Sequence, residues 1–180
     1  MDEIVKAALK KWPQVPACRG WLALDARGDW YMRDDRVQAA GPFPRVKGSR
    51  IQHDKLREFI ERNYDRDDSG AWFFQNGPQR VYVELEAAPH VWRVAPRDFA
   101  LTSHGGQAAM LRSAWLDEHG RLFLDTDIGL GLVHTQDMHE AASAVEAGLW
   151  RPEPVSYTAM PQRFGFVPSP QQAWAAAQGR

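Results

Sequence analysis

The sequence predicts an α+β protein: two tandem repeats of a β-hairpin, a helix and antiparallel strands, with helices at the N- and C-termini. Three observations point there. Two ungapped segments, Leu24–Asp35 and Leu116–Asp127, carry the same turn motif. Helical and strand-like patterns follow both in the same order, and a shared order of elements is the mark of an internal repeat. Eight tryptophans in 180 residues supply large apolar side chains, each able to bury on the order of 200 Å².

The elements follow in chain order. Asp2–Trp12 reads as a helix, because Ile4, Val5, Ala8, Leu9 and Trp12 recur at three and four, and Pro13 and Pro16 stop it. Gly20–Ala26 and Asp29–Arg33 flank Ala26-Arg27-Gly28, a hairpin signature, since glycine accepts positive φ. Ala39–Ser49 has glycines and prolines without alternation and reads as a loop. Asp54–Tyr64 is a second helix with Leu56, Phe59, Ile60 and Tyr64 on one stripe. Strands follow at Trp72–Phe74 and Val81–Glu86, the latter alternating as a half-buried antiparallel strand does, and again at Val91–Val94.

The second half repeats the order with Ala108–Leu116, Leu122–Leu124 and a helix at Gln136–Ala147. Gly129 and Gly131 read as a turn before that helix. Strands near Val155–Thr158 and Phe164–Val167 and a helix at Gln171–Gln178, anchored by Trp174, complete the chain. In the matched segments Leu, Asp, Gly and the last Asp are identical, and Trp30/Leu122, Tyr31/Phe123 and Met32/Leu124 agree in character. The helices match as Leu56/Met138, Phe59/Ala141 and Ile60/Ala142, and Trp72 and Trp150 follow them. The expected organisation is one compact unit, 1–180, with repeats at 17–96 and 108–168 and a core lined by tryptophans.

Trp21–Met32, the helix Asp54–Tyr64, the strand Trp72–Phe74 and the run Val81–Val91 together resemble an uncharacterised proteobacterial domain-of-unknown-function family with a duplicated α+β motif. The resemblance spans Gly20 to Gly148 and rests on no catalytic signature. It implies a duplicated α+β fold with no assigned activity and a suggested signalling or partner-binding role. The chain departs from that family in its Pro-rich, basic loop Gly41–Arg50 and in an alanine-rich helix at Met138–Ala147.

Composition narrows the function. Apolar residues make up 44% and charged residues 25%, ordinary globular usage that excludes disorder and fibrous repeats. The net charge of −1 gives no electrostatic case for nucleic acid or an anionic membrane. A single cysteine, Cys18, cannot form an internal disulfide, and the acidic start Met1-Asp2-Glu3 is unlike a secretory leader. A cytoplasmic location is the expectation.

Reactive constellations are sparse. His134, Asp137, His139 and Glu140, with Asp125 and Asp127 upstream, suggest a metal-dependent hydrolase as the alternative to binding. His134 and Asp137 have helical ligand spacing, but His134 and His139 do not, and no His-Glu-x-x-His motif occurs. Adjacent Ser103 and His104 need not converge, and Asp25 and Asp117 fit turn capping better than acid–base work. No phosphate-cradling glycine motif occurs, and no cofactor is called for.

The basic loop is the best binding feature. Arg45, Lys47 and Arg50 are the only charges between Arg36 and Asp54, and Phe43 and Val46 interleave with them. They form the expected ligand-binding set for a small anionic ligand or an acidic partner protein. The overall expectation is a non-catalytic binding or regulatory module, monomeric or homodimeric.

Overall fold

The computed structural model describes residues 1–179. The strands are β1 (Cys18–Leu24), β2 (Trp30–Met32), β3 (Ser49–Arg50), β4 (Tyr64–Arg66), β5 (Trp72–Asn76), β6 (Gln79–Leu85) and β7 (His90–Val94). Then come β8 (Leu101–Ser103), β9 (Ala108–Ala109), β10 (Leu111–Leu116), β11 (Leu122–Thr126), β12 (Gly129–Val133) and β13 (Glu153–Pro154). The helices are α1 (Glu3–Lys11), α2 (Asp35–Ala40), α3 (Asp54–Arg62), α4 (Met138–Glu146), α5 (Met160–Phe164) and α6 (Pro170–Ala177). The chain forms two compact units. Met1–Asp25, Asp29–Glu86 and the stretch from Phe166 onward make the first, and Ala26–Gly28 with Ala87–Gly165 the second.

The first unit holds a sheet in the order β3-β2-β1-β6-β5-β4. Its centre is a parallel pair, β1 with β6, with Leu22 opposite Val83 and Leu24 opposite Leu85. This departs from the all-antiparallel expectation and brings the C-terminal ends of the two central strands together. The alternation expected in β6 is absent, because Tyr82 and Glu84 are buried as well as Val81, Val83 and Leu85. The C-terminal segment covers that second face. Glu84 accepts hydrogen bonds from the Ser169 hydroxyl and, at 3.0 Å, from the Gln171 N–H at the start of α6. Burial raises the Glu84 pKa, and those bonds only partly offset it.

Aromatic edges fill the other side. Trp30 meets Tyr64 edge-on at 5.2 Å, and Phe59 of α3 meets Phe74 at 5.5 Å. In α1 only Val5 is buried and Ile4 is 76% exposed, so the expected five-residue apolar face shrinks to one fully buried residue near the start of the helix.

The second unit holds a sheet in the order β13-β10-β11-β12-β7-β8-β9. Strand β7, within the expected first repeat, pairs here in parallel with β12, Leu132 lying opposite Val91. Gly129–Val133 is therefore a buried strand and not the expected turn. Its Gly131 is needed for close approach, since a Cβ there would overlap the Trp92 indole nitrogen. That indole N–H donates to the Leu124 carbonyl at 3.0 Å. The alanine-rich α4 contributes Ala141 and Ala144, both fully buried, to a core that includes Trp92, Leu122, Leu124, Val133 and Trp150. Small side chains let that helix lie close to the core without overpacking it.

The expected strands near Val155–Thr158 and Phe164–Val167 are instead a single 3₁₀ turn at Tyr157–Ala159 and the helix α5 with the chain after it. Pro161 sits in the first turn of α5, where a missing N–H costs nothing, and Gly165 ends the helix at φ 65°. Trp30, Trp72, Trp92, Trp115 and Trp150 are buried; Trp12, Trp21 and Trp174 are exposed, so Trp174 is not the expected interior anchor.

The two matched segments take the same turn. Asp25 N–H donates to the Asp29 carbonyl at 3.0 Å, and Asp29 N–H donates back to Asp25 Oδ1 at 2.9 Å. Asp117 N–H donates to the Arg121 carbonyl at 3.1 Å, and Arg121 N–H returns to Asp117 Oδ1 at 2.8 Å. Gly28 and Gly120 hold φ of 83° and 74° at the same step. The architecture is thus α+β with two similar halves.

Candidate functional site

The basic loop lies in the first unit and is fixed from beneath. Arg33, only 1% exposed, donates from Nη2 to the Gly41 carbonyl at 2.7 Å, from Nε to Val46 at 3.2 Å and from Nη1 to Gly20 at 3.3 Å. A planar guanidinium can satisfy three diverging carbonyls at once, which a single ammonium cannot do with the same geometry. Helix α2, which starts the loop, is capped by Asp34, whose Oδ1 accepts the Val37 N–H at 2.9 Å.

The three expected ligand-binding residues are not equivalent. Lys47 Nζ bridges Asp25 Oδ2 at 3.0 Å and Glu86 Oε2 at 2.9 Å, with the Tyr31 ring 5.4 Å away. Asp25 and Glu86 directly follow β1 and β6, so the parallel pair delivers both carboxylates to one place. Burial opposes the Lys47 charge, but hydrogen bonds to Glu86 and Asp25 outweigh it and raise its pKa. Burial and then the neighbouring Asp25 charge raise the Tyr31 phenol. Arg50 Nη2 pairs with Asp29 Oδ1 at 2.6 Å. Arg45 is exposed and, among the described residues, meets no carboxylate within ion-pair distance. Two of the expected cations therefore stand neutralised by acids far away in sequence, and Arg45 stands open.

The residues of the hydrolase alternative are engaged separately. His134 Nδ1 accepts the Gln136 N–H at 3.1 Å as a helix cap, whereas His139 is exposed. Asp137 accepts Arg93 Nε at 2.6 Å, Arg93 Nη2 at 2.9 Å and the Val94 N–H at 3.0 Å. The Arg93 bonds hold its carboxyl below the usual range. Asp127 accepts the Met110 N–H at 2.7 Å. Among the described residues no three His, Cys, Asp or Glu side chains gather as a metal site would require.

Ser103 spends its hydroxyl on the Gln107 N–H at 3.1 Å. His104 accepts the Val91 N–H at 3.3 Å, and His90 stacks on Trp92 with centroids 5.1 Å apart. Burial pushes His90 down to about 4; burial, then the nearby His90, pushes His104 down to about 3. Both imidazoles are neutral at pH 7. Burial raises the Cys18 thiol, so it is not an activated nucleophile.

Sequence reasoning missed one further grouping. Arg19, on β1, lies with its guanidinium carbon 4.6 Å from the Tyr82 ring centre and 5.4 Å from that of Trp174. They line a cleft of about 170 Å³ together with Asp67, Ser69, Ala71, Val167, Pro170 and Ala173. No local pattern could have found it, because its walls come from four separate stretches of chain.

A family model covers nearly the whole chain. DUF2944, described as "Protein of unknown function (DUF2946)", matches residues 1–171. The chain belongs to this family. Its uncharacterised standing agrees with the resemblance read from the sequence. Among solved structures, the chain is similar to a DUF1285 family protein from Silicibacter pomeroyi DSS-3, at 13% identity and a TM-score of 0.50, covering 79% of this chain and 84% of that one. A DUF1285 family protein from Shewanella baltica OS155 is also similar, at 15% identity and a TM-score of 0.45, covering 68% and 91% respectively. The first likeness supports the α+β architecture. No curated protein sequence matches the chain. Among the described residues no helix is long and apolar enough to cross a membrane.

Proposed function

We propose that this DUF2944 protein is a non-catalytic binding or regulatory module that takes a small anionic ligand or the acidic segment of a protein partner on the loop Gly41–Arg50. The observation that carries this reading is Arg45: an open guanidinium on a loop that Arg33 holds from below and that ion pairs hold at Lys47 and Arg50. A held loop loses less freedom when a ligand arrives, which favours binding. Arg45 would make the first contact, and Lys47 and Arg50 would divide their N–H donors between the ligand and the carboxylates they already hold. The reading takes the repeats as 17–96 and 108–168, and the protein as a cytoplasmic monomer or homodimer that needs neither cofactor nor nucleic acid.

The test is a titration of the ¹⁵N-labelled protein with inorganic phosphate and with a short oligoglutamate peptide. Saturable amide shifts concentrated in residues 41–50, lost in Arg45→Glu, are the expected result. Shifts that persist in Arg45→Glu, or none up to tens of millimolar, would remove the loop as the site.

A further inference from the structure

We infer that the Arg19 cleft of the first unit is a second binding site, built for a small monocarboxylate with a planar apolar body. Its shape and its charges point the same way. At about 170 Å³ it is smaller than the roughly 300–1,000 Å³ of drug-sized sites and takes a fragment-sized group. Among the described residues the Arg19 guanidinium has no hydrogen-bond or ion-pair partner. Its charge instead lies against two aromatic rings, an arrangement that steadies a guanidinium while leaving its N–H edge to bind an anion. A carboxylate matches that edge with two parallel hydrogen bonds.

The other polar wall is already spent. Asp67 Oδ1 accepts the Ser69 N–H at 2.9 Å, the Ser69 hydroxyl at 2.6 Å and the Ala71 N–H at 3.1 Å, and Oδ2 accepts the Tyr82 hydroxyl at 2.8 Å. These bonds leave Asp67 little capacity for a ligand donor, yet its negative charge stays and disfavours polyanions beside Arg19. Arg80 borders the group from outside the cleft, over the Phe73 ring at 4.4 Å. The remaining walls, Ala71, Val167, Pro170, Ala173 and the half-exposed indole of Trp174, are apolar and suit a flat hydrocarbon body. One cation, one spent acid and an indole wall select a monoanion with a ring over phosphate or a bare small acid.

The experiment follows the Trp174 indole N–H by NMR, assigned from Trp174→Phe, while benzoate, acetate and inorganic phosphate are titrated separately. Benzoate is expected to shift it saturably with a Kd on the order of 1 mM. Acetate and phosphate are expected to bind at least about tenfold more weakly, and Arg19→Met to weaken benzoate about tenfold or more. Arg45→Glu is expected to leave benzoate binding unchanged, which separates this cleft from the loop site. The buried Trp30 and Trp72 indole signals verify that Arg19→Met stays folded; if it does not, Arg19→Lys replaces it, with the same loss expected because the fork is gone. Phosphate binding as strong as benzoate, unchanged binding in the Arg19 variant, or no saturable shift would overturn the inference.

Discussion

The same turn occurs at Asp25 and Asp117, yet the two carboxylates are neutralised in different ways. Asp117 is served locally: Arg121, four residues on, pairs with it at 2.8 Å, and the His119 and Arg121 N–H groups complete its shell. Burial alone would raise its pKa, but the bonds from Arg121 and His119 lower it. Asp25 draws its cation from the basic loop, 22 residues away, and shares that cation with Glu86. One turn closes on itself; the other ties a loop to two strand ends. A short motif can thus be repeated while its counter-ion decides whether it is mere geometry or an anchor. Compensated buried charges occur in both units, Arg33 in the first and Asp117 and Asp137 in the second, whereas the neutral imidazoles His90 and His104 both lie in the second.

Acid is expected to separate the halves most strongly. A histidine whose folded pKa is depressed binds its proton first in the unfolded chain, so stability falls as pH drops below about 6.5 and keeps falling toward the folded value. For His90 that window closes near 4, and for His104 near 3. Each contributes a slope of about 1.4 kcal/mol per pH unit. Asp67, Asp117 and Asp137, held low, lose their contribution only as pH falls through about 4 and below. Denaturant melts at pH 6.5 and 4.5, read at the Trp92 and Trp30 indole signals, should show the loss first at Trp92. His104→Asn, which can keep the acceptor for Val91, should roughly halve the slope. A flat profile across that range would break the contrast.

Removing the counter-ions should rank the two turns. Lys47→Met leaves Asp25 and Glu86 facing each other without their shared cation, at an expected cost of about 2–3 kcal/mol. Arg121→Met leaves Asp117 two backbone donors and should cost about 1 kcal/mol. Equal losses in urea unfolding would mean that the long-range tie anchors nothing. The smallest difference is at the turn glycines. Gly120→Ala meets no neighbour and should cost about 1 kcal/mol for its positive φ alone, whereas a Cβ at Gly28 would stand 2.8 Å from the His104 Cβ and should cost about 2.

What could be read from the sequence was local. The Leu-Asp-x-x-Gly turns, the helices α3 and α4 and the aromatic strand at Trp72 all announce themselves by spacing or by glycine placement. Strand β12 did not, because Gly131 looks like a breaker until Trp92 is known to lie over it. The alternation in β6 promised a solvent face that residues 166–177 cover, contacts some 85 positions away. The loop cations were visible as a group, but the acids Asp25, Asp29 and Glu86 that occupy two of them were not, since no short-range pattern links them. The Arg19 cleft was illegible for the same reason.

The first unit is discontinuous, with the entire stretch Ala87–Gly165 placed between the last two of its three parts. A ribosome making this chain releases β1 to β6 long before it releases Ser169, Gln171 and the rest of α6. Until then Glu84 and Tyr82 have no lid, and that nascent sheet must wait with one wet side while the later unit is synthesised. Any stop codon or proteolytic nick that removes the last dozen residues would therefore injure the earliest-made sheet, leaving the most recently made strands intact.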